Sequence, residues 1–287
     1  GPKTLSSNLT EIKIKSPLLK KQFGENSHIR VTDIDYYRTC PRKFFIEKIL
    51  GLEPPQIREY GIEPLLLGTI IHKIMEELIS KPFRDLDELR RNAEVLIERH
   101  LNAVQIDRYW KNFIKDSFGL ALSDIFEVES ELRDEGYIFM KAEIPVEGEV
   151  VRGIRLRGKI DRVDKKGDSV EILDYKTGSS RLSSSQVIKN GATLQLFLYA
   201  TLMKIMGFKV DRVGIYSMKD VSISWIPGKT DKRNSMTVDD FAIASLKFLE
   251  ETVSDMRDGT FTAKPLNEQT CRNCHERAYC PYLQADA

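Results

Sequence analysis

The strongest constraint on the fold comes from two neighbouring strand-like segments in the middle of the chain. Ile154 to Asp164 and Ser169 to Tyr175 are strand-like, and a short turn containing glycine separates them. Side chains two apart on a strand share a face, so Asp174 and Lys176 project together, and Asp161 on the preceding strand reaches the same place. The sequence therefore predicts a hairpin with two carboxylates and a lysine at one end.

The other predicted elements indicate a mixed α/β core. Further strand-like runs cover residues 137–150, 210–217 and 221–226, and helices are predicted over 32–50 (kinked at Pro41), 65–80, 184–206 and 238–257. Two or more additional helices are predicted within 85–133. This order favours an α/β fold with a helical insertion over 81–135. Residues 1–28 show little periodicity and are expected to be a tail or linker, with residues 29–287 forming a single domain.

Composition is that of an ordinary globular protein. The chain has 287 residues, of which 41% are hydrophobic and 30% charged, and a chain of this length buries roughly three quarters of its unfolded surface. It contains no apolar run of about 20 residues, which a membrane helix needs, and no signal peptide. A cytoplasmic protein without a membrane segment is therefore expected. The opening Gly1-Pro2 is typical of a protease-cleavage remnant, so the natural start is expected to lie elsewhere.

Charge is unevenly distributed, although the net charge is only +1. Residues 1–48 carry ten Lys/Arg against five Asp/Glu, and residues 152–181 carry nine against five. Residues 85–135 carry seven against thirteen. Basic segments that flank an acidic one can mark the path of a polyanion beside a solvated helical face. Simple mixing of surface charges explains the same pattern, so charge alone does not identify a partner.

The carboxylates and the lysine of the hairpin suit a particular chemistry. Two carboxylates from neighbouring strands provide hard oxygen ligands for Mg²⁺ or Mn²⁺. A lysine beside them can orient an attacking water and offset negative charge that builds up on a phosphate. An isolated Asp-x-Lys is more often a surface ion pair on a hairpin, so the motif gains meaning only from its context.

Four cysteines, Cys40, Cys271, Cys274 and Cys280, form a second constellation. The last three read Cys-x₂-Cys-x₅-Cys. Neither a signal peptide nor a small secreted fold supports two disulfides. A site with four thiolates that holds zinc or an iron–sulfur cluster is the better interpretation, and the spacing alone favours zinc.

The motifs taken in order resemble the RecB-like branch of the PD-(D/E)XK nucleases. The order is Gly-Thr-x-x-His ending at His72, Gly-x-x-Asp ending at Asp161, Asp-Tyr-Lys-Thr-Gly beginning at Asp174, and Gln-x-x-x-Tyr from Gln195 to Tyr199. The resemblance implies a PD-(D/E)XK core, a mixed central sheet flanked by helices. One departure is that many members have Glu where this chain has Asp174.

That resemblance also implies roles for the matching residues. His72, Asp161, Asp174 and the main-chain carbonyl of Tyr175 would bind Mg²⁺ or Mn²⁺, and Lys176 would be the catalytic lysine. Gln195 and Tyr199 would steady the active site or the nucleic-acid strand. Glu143 lies where many relatives place an additional acid, and is a further candidate metal ligand. His72, Gln195 and Tyr199 taken singly would be ordinary core or helix residues.

The cysteine pattern resembles the iron–sulfur staple of AddB-type nuclease domains. In that group a [4Fe–4S] cluster ties the two ends of the domain together, which here implies that residues 271–280 close onto Cys40. A staple across so long a loop restricts the unfolded chain strongly.

Together these resemblances imply a metal-dependent exonuclease in DNA end processing and recombinational repair. The helices predicted within 85–135 precede the catalytic strands and would roof the cleft, which favours hydrolysis of single-stranded DNA ends. The given sequence has no Gly-x-x-x-x-Gly-Lys-[Ser/Thr] phosphate loop and so no motor of its own by that test. The resemblance to AddB-type nuclease domains therefore implies a helicase in another domain or subunit. Alternatives are a stand-alone nuclease of the CRISPR-adaptation type, a non-catalytic module that binds DNA ends, and a zinc-stabilised scaffold.

Overall fold

The computed structural model describes residues 13–52, 64–178, 183–191, 193–228, 231, 235–272, 274–280 and 282. Its helices are α1 (Pro17–Phe23), α2 (Val31–Thr39), α3 (Pro41–Phe44), α4 (Pro64–Ser80), α5 (Leu86–Asn102), α6 (Arg108–Asp134), α7 (Ser184–Asn190), α8 (Leu194–Ile205), α9 (Val238–Asp258) and α10 (Glu268–Arg272). A π-helical turn, Phe45–Ile49, follows α3, and a 3₁₀ turn, His275–Tyr279, follows α10. Over these ranges, no helix combines the length and apolar character that crossing a membrane requires.

A mixed sheet forms the centre of the fold. Its strands are β1 (His28–Arg30), β2 (Ile138–Val151), β3 (Ile154–Lys166), β4 (Ser169–Lys176), β5 (Lys209–Ser217) and β6 (Ser222–Ile226). The order is β1-β3-β4-β5-β6, with β2 also paired to β3. The β1–β3 and β4–β5 pairs are parallel, and the β2–β3, β3–β4 and β5–β6 pairs are antiparallel. The predicted α/β class, a mixed sheet flanked by helices, is confirmed.

Two apolar clusters pack against this sheet. The first joins α1, α2, α8 and α9 to the strands, with Phe44, Ile172 and Phe197 among its fully buried members. The second joins α4, α5 and α6, and it includes Tyr175 and Tyr216 from the sheet. The helices predicted within 85–133 are therefore packed against the same strand that carries Asp174 and Lys176.

The single helix predicted over 184–206 is wrong, because the structure has two helices there. Gly191 ends α7 in a left-handed conformation with φ of 59°, and Thr193 before α8 has φ of 56°. Glycine adopts this conformation without steric cost. Packing also requires glycine at this position, since a Cβ on Gly191 would lie 2.5 Å from Cγ of Phe248.

Part of the segment expected to be a tail belongs to the folded core. Residues 1–12 lie outside the described residues, but α1 buries Leu19 and Phe23. The Ser16 hydroxyl accepts a hydrogen bond from the Leu18 N–H at 3.2 Å, and Pro17 occupies the first helical position. A serine cap followed by proline is a helix-start signal, but the seven residues of α1 are too few to show a helical period.

Candidate active site

The centre of the site lies where β3 and β4 stop pairing. The last antiparallel pair is Arg162 with Leu173. Beyond it, the Tyr175 N–H donates to Oδ2 of Asp161 at 3.0 Å, so this carboxylate replaces a backbone partner. Opposite it, Nζ of Lys176 lies 2.7 Å from Oδ2 of Asp174. The structure thus brings together the two carboxylates and the lysine that the sequence predicted at one end of the hairpin.

His72 approaches this centre from α4. Its Nδ1 lies 3.6 Å from Oδ2 of Asp161, and its ring meets the Tyr175 ring edge-on at 5.8 Å between centroids. Burial lowers the pKa of His72 below its ordinary value. A neutral imidazole keeps a lone pair available for a metal ion, which is the state that the predicted ligand role needs.

Helix α8 supplies Gln195 and Tyr199 from one face. Nε2 of Gln195 donates to Oδ1 of Asp174 at 2.9 Å, which leaves Oδ2 of that carboxylate to Lys176. The Tyr199 ring lies directly over Gly158, where a Cβ would be only 2.5 Å from Cε1 of the ring. The glycine of the Gly-x-x-Asp motif is therefore needed for close packing of Tyr199. Burial raises the pKa of Tyr199, so its hydroxyl stays protonated.

Asp35 on α2 is a site residue that the sequence interpretation missed. Its carboxylate oxygens accept the main-chain N–H of Gln195 at 3.2 and 3.3 Å. The Thr193 side chain forms no capping hydrogen bond with α8. Asp35 from α2 instead accepts an N–H of the first turn of α8, as an N-cap residue would. Burial raises the pKa of Asp35 to about 6. No local pattern reveals this role, because 160 residues separate Asp35 from Gln195.

The electrostatics of the site favour a cation. Burial and the neighbouring Asp174 carboxylate raise the pKa of Asp161 to about 7. Burial opposes the charge on Lys176, but Asp174 raises the pKa of this lysine above its ordinary value. Three carboxylates, counting Asp35, thus face one lysine. Within the described ranges no three His, Cys, Asp or Glu side chains already converge as an ion-binding group, so the fit to a metal rests on the chemistry of these donors.

Glu143 is placed differently from the other predicted ligands. Its neighbours on β2 pair with Ile160 and Arg162, so its backbone lies opposite Asp161. However, Glu143 has φ of 52°, and its carboxylate forms an ion pair with Lys159. The structure therefore brings Glu143 next to the site and engages it with a neighbouring cation.

The four cysteines line one small cavity, together with Pro265 and Arg277. All four are free thiols. Burial, followed by the charges of the other three cysteines, raises the pKa of the Cys271 thiol. A hydrogen bond of 2.9 Å from the Leu266 N–H to the Thr39 carbonyl joins the two chain segments beside this cavity. The fold thus gathers the remote Cys40 with the three C-terminal cysteines.

A comparison with protein families assigns the chain to a superfamily. Residues 28–281 match the model of the PD-(D/E)XK nuclease superfamily. The chain belongs to this superfamily. The match covers every predicted site residue, from His72 to Tyr199, and all four cysteines.

Individual relatives of this chain are identical to it at about a quarter of the aligned positions. The chain is similar to a subunit of an ATP-dependent helicase/deoxyribonuclease of Caldanaerobacter subterraneus subsp. tengcongensis, with 25% identity over 287 residues that cover 84% of the chain and 24% of the relative. The corresponding helicase/deoxyribonuclease subunit of Clostridium novyi is 25% identical over 65% of the chain and 19% of its own length. An uncharacterised protein of Rickettsia felis is 28% identical over 64% of the chain and 22% of its own length. The chain thus spans about a quarter or less of these relatives.

Proposed function

We propose that this chain is the nuclease module of an ATP-dependent helicase–nuclease, and that it hydrolyses single-stranded DNA from an end with Mg²⁺ or Mn²⁺. The convergence of Asp161, Asp174 and Lys176 where β3 and β4 separate carries this proposal. Membership of a nuclease superfamily supports the reaction class. The helicase/deoxyribonuclease subunits among its relatives support DNA as the substrate and a helicase domain or subunit as partner. Action in DNA end processing and recombinational repair belongs to the same proposal and follows from the resemblance of the ordered motifs.

Four groups of the chain fit a divalent ion. They are the imidazole of His72, the carboxylates of Asp161 and Asp174, and the main-chain carbonyl of Tyr175. Oxygen and imidazole donors suit Mg²⁺ and Mn²⁺, and the surplus of negative charge favours a cation. When bound, such an ion polarises a phosphate and lowers the pKa of a water.

The remaining residues position the reacting groups. Lys176 stays charged because its pKa is raised, so its ammonium orients the attacking water and offsets the charge that develops on the phosphate. Gln195 holds the Asp174 carboxylate through Oδ1, and Asp35 holds Gln195 through the backbone. Tyr199 packs on Gly158 and keeps α8 close to β3.

The cysteine cavity is proposed to hold a [4Fe–4S] cluster on Cys40, Cys271, Cys274 and Cys280. Four free thiols around one cavity fit the ligand set of such a cluster and of zinc alike. The cluster would join the end of α2 to the C-terminal segment and close a loop of more than two hundred residues, which stabilises the fold by restricting the unfolded chain.

Iron content and visible absorbance of freshly purified protein test this cofactor. The expected result is the broad absorbance of iron–thiolate bonds together with about four irons per chain. Cys40→Ser should lose the cluster and lower the melting temperature, while DNA cleavage by the remaining folded protein persists. A colourless protein with stoichiometric zinc, or a Cys40→Ser variant with unchanged iron and melting temperature, contradicts the cluster assignment.

The activity is tested with linear single-stranded, circular single-stranded and blunt duplex DNA, each with Mg²⁺ or Mn²⁺. We expect degradation of linear single strands only, and none by an Asp174→Ala variant that remains folded. Equal cleavage of circles removes the need for an end, and a preference for blunt duplex removes the single-strand assignment. Tight binding of ends without any cleavage indicates a non-catalytic end-binding module.

A further inference from the structure

A second group of charged side chains lies outside the active site. We call it the basic pocket, a cavity of about 520 Å³ lined by Lys21, His28, Arg30, Lys48 and Arg157, with Asp33 beside them. Four of the five come from residues 21–48 and one from β3. The fold therefore combines, in one cavity, basic side chains from the two segments whose sequence is basic.

The basic pocket has a surplus of positive charge. Among the described residues Asp33 is the one carboxylate in its lining, and no ion pair within 4 Å neutralises Lys21, Arg30, Lys48 or Arg157. Burial raises the pKa of Asp33 even though Arg30, Lys48 and Arg157 all act to lower it. Within this lining a single carboxylate faces four basic side chains, which suits an anion with several negative charges.

One strand connects the basic pocket to the active site. Arg157 and Asp161 are four residues apart on β3, which corresponds to about 13 Å at 3.3 Å per residue. Lys159 lies between them, and residues 157 and 159 are exposed while Leu156 and Ile160 are buried. Arg30 pairs with Arg157 because β1 runs parallel to β3 at this point. Arg157 thus extends the basic pocket along β3 toward Asp161, and Lys159, which pairs with Glu143, lies between the two.

We propose that the basic pocket binds backbone phosphates of the DNA strand, a few nucleotides from the phosphodiester bond that is cleaved. This inference rests on the proposed function, since it takes the active site at Asp161 as the point of cleavage. Lysine and arginine contacts to phosphates position a strand without reading its sequence, which suits a nuclease that degrades DNA of any sequence. The pocket then adds affinity for strands long enough to reach it from the active site.

Binding measured without a divalent metal tests the pocket separately from cleavage. The test variant is Lys48→Gln/Arg157→Gln, and the matched control is Arg91→Gln/Lys247→Gln, which removes one lysine and one arginine from exposed positions on α5 and α9. Fluorescence anisotropy with a long single-stranded oligonucleotide is followed as a function of salt. The log–log slope of the test variant should become shallower by about 1.4, because each lost phosphate contact on a single strand contributes about 0.7. The control should keep the wild-type slope.

Oligonucleotide length tests the position of the pocket. Oligonucleotides too short to span from Asp161 to Arg157 should bind the test variant and the wild type equally, whereas long ones should bind the test variant more weakly. With Mg²⁺ present, KM for long strands should rise while kcat is retained. Equal binding of long strands by test and control variants overturns the proposal, as does equal weakening on short and long strands. If the chain proves inactive but the length-dependent binding loss is found, the pocket stands and the proposed function fails.

Discussion

The hairpin of β3 and β4 carries one charged cluster on each of its two sides. Two consecutive residues, Asp161 and Arg162, belong to different clusters. Asp161, Asp174 and Lys176 form the reactive cluster. Arg162, the residue next to Asp161, belongs to a structural cluster. Its guanidinium binds both oxygens of Glu129 on α6 at 2.6 and 2.7 Å, and its Nε donates to Asp164 at 2.8 Å.

The difference lies in how completely the charges are paired. The Arg162 side chain is 2% exposed, and its donors are directed at carboxylates and at the Tyr175 hydroxyl. Lys176 is 44% exposed and faces more negative charge than it can neutralise. Buried charges are tolerated when they are paired and hydrogen-bonded, so the Arg162 cluster can lie in the core, and loss of one partner would destabilise the fold. The unbalanced cluster beside solvent is the one equipped to bind a metal ion and a phosphate.

Replacing Arg162 should produce the largest effect of the four replacements, and this effect is a loss of stability. Arg162→Met leaves the Glu129 and Asp164 carboxylates buried without their partner, and breaking a buried pair costs about 3–5 kcal/mol. Urea unfolding measures this loss in the free energy of unfolding. Arg157→Met, an exposed position on the same strand, serves as the control and should change stability little. Equal stability of the two variants contradicts the structural role of Arg162.

Replacing Lys176 should affect cleavage and spare the fold. Lys176→Ala removes the ammonium that offsets the negative charge developing on the phosphate. Loss of one such group lowers kcat by about 10²–10³-fold, equivalent to about 2.7–4 kcal/mol. Its free energy of unfolding should stay close to that of the wild type, in contrast to Arg162→Met. Single-turnover cleavage with Mg²⁺ or Mn²⁺ measures the effect. Wild-type rates would remove Lys176 from the active site.

Replacing Asp35 should have an intermediate effect, and it should lower both the stability and the cleavage rate. Asp35→Ala removes the cap of α8 and lets Gln195 move, so we expect a loss of about 1–2 kcal/mol in stability and slower cleavage. Asp35→Asn keeps an acceptor oxygen for the Gln195 N–H and should restore most of both. If Asp35→Asn is as slow as Asp35→Ala while its stability is normal, the negative charge of Asp35 matters directly, and its role is more than capping.

Replacing Glu171 should have the smallest effect near neutral pH. Burial raises the pKa of Glu171 to about 8, although Arg212 donates to it at 2.6 Å. The raised pKa favours the neutral carboxyl, which glutamine resembles in shape and charge, so Glu171→Gln should change the free energy of unfolding near neutral pH by less than about 1 kcal/mol.

The sign of the pH dependence follows from the same raised pKa. Between about pH 4 and about pH 8 the native state holds a proton that the unfolded state has lost, so this group makes stability fall as pH rises. Glu171→Gln removes that contribution. Urea unfolding across this range should show a flatter pH profile for the variant, and identical profiles would contradict the raised pKa of Glu171.

The spacing of residues along the chain was sufficient to predict which residues of the site share a face. Strand period places Asp174 and Lys176 on one side, and helix period places Gln195 and Tyr199 on one face. These relations involve residues two or four apart, so backbone geometry alone determines them. The family resemblance of the ordered motifs added the expected role of His72, which the site geometry accommodates.

Contacts between elements that are far apart in sequence were decided by tertiary packing. Asp35 reaches Gln195 across 160 residues, and the break at Gly191 depends on the Phe248 ring from another helix. The basic pocket likewise needs β1 to lie beside β3 before Arg30 and Arg157 can meet. Sequence by itself determined which residues share a face within one element, because the period of a strand or helix is a local property. Which elements meet was decided only by the burial of apolar surface over the whole chain, which no local pattern encodes.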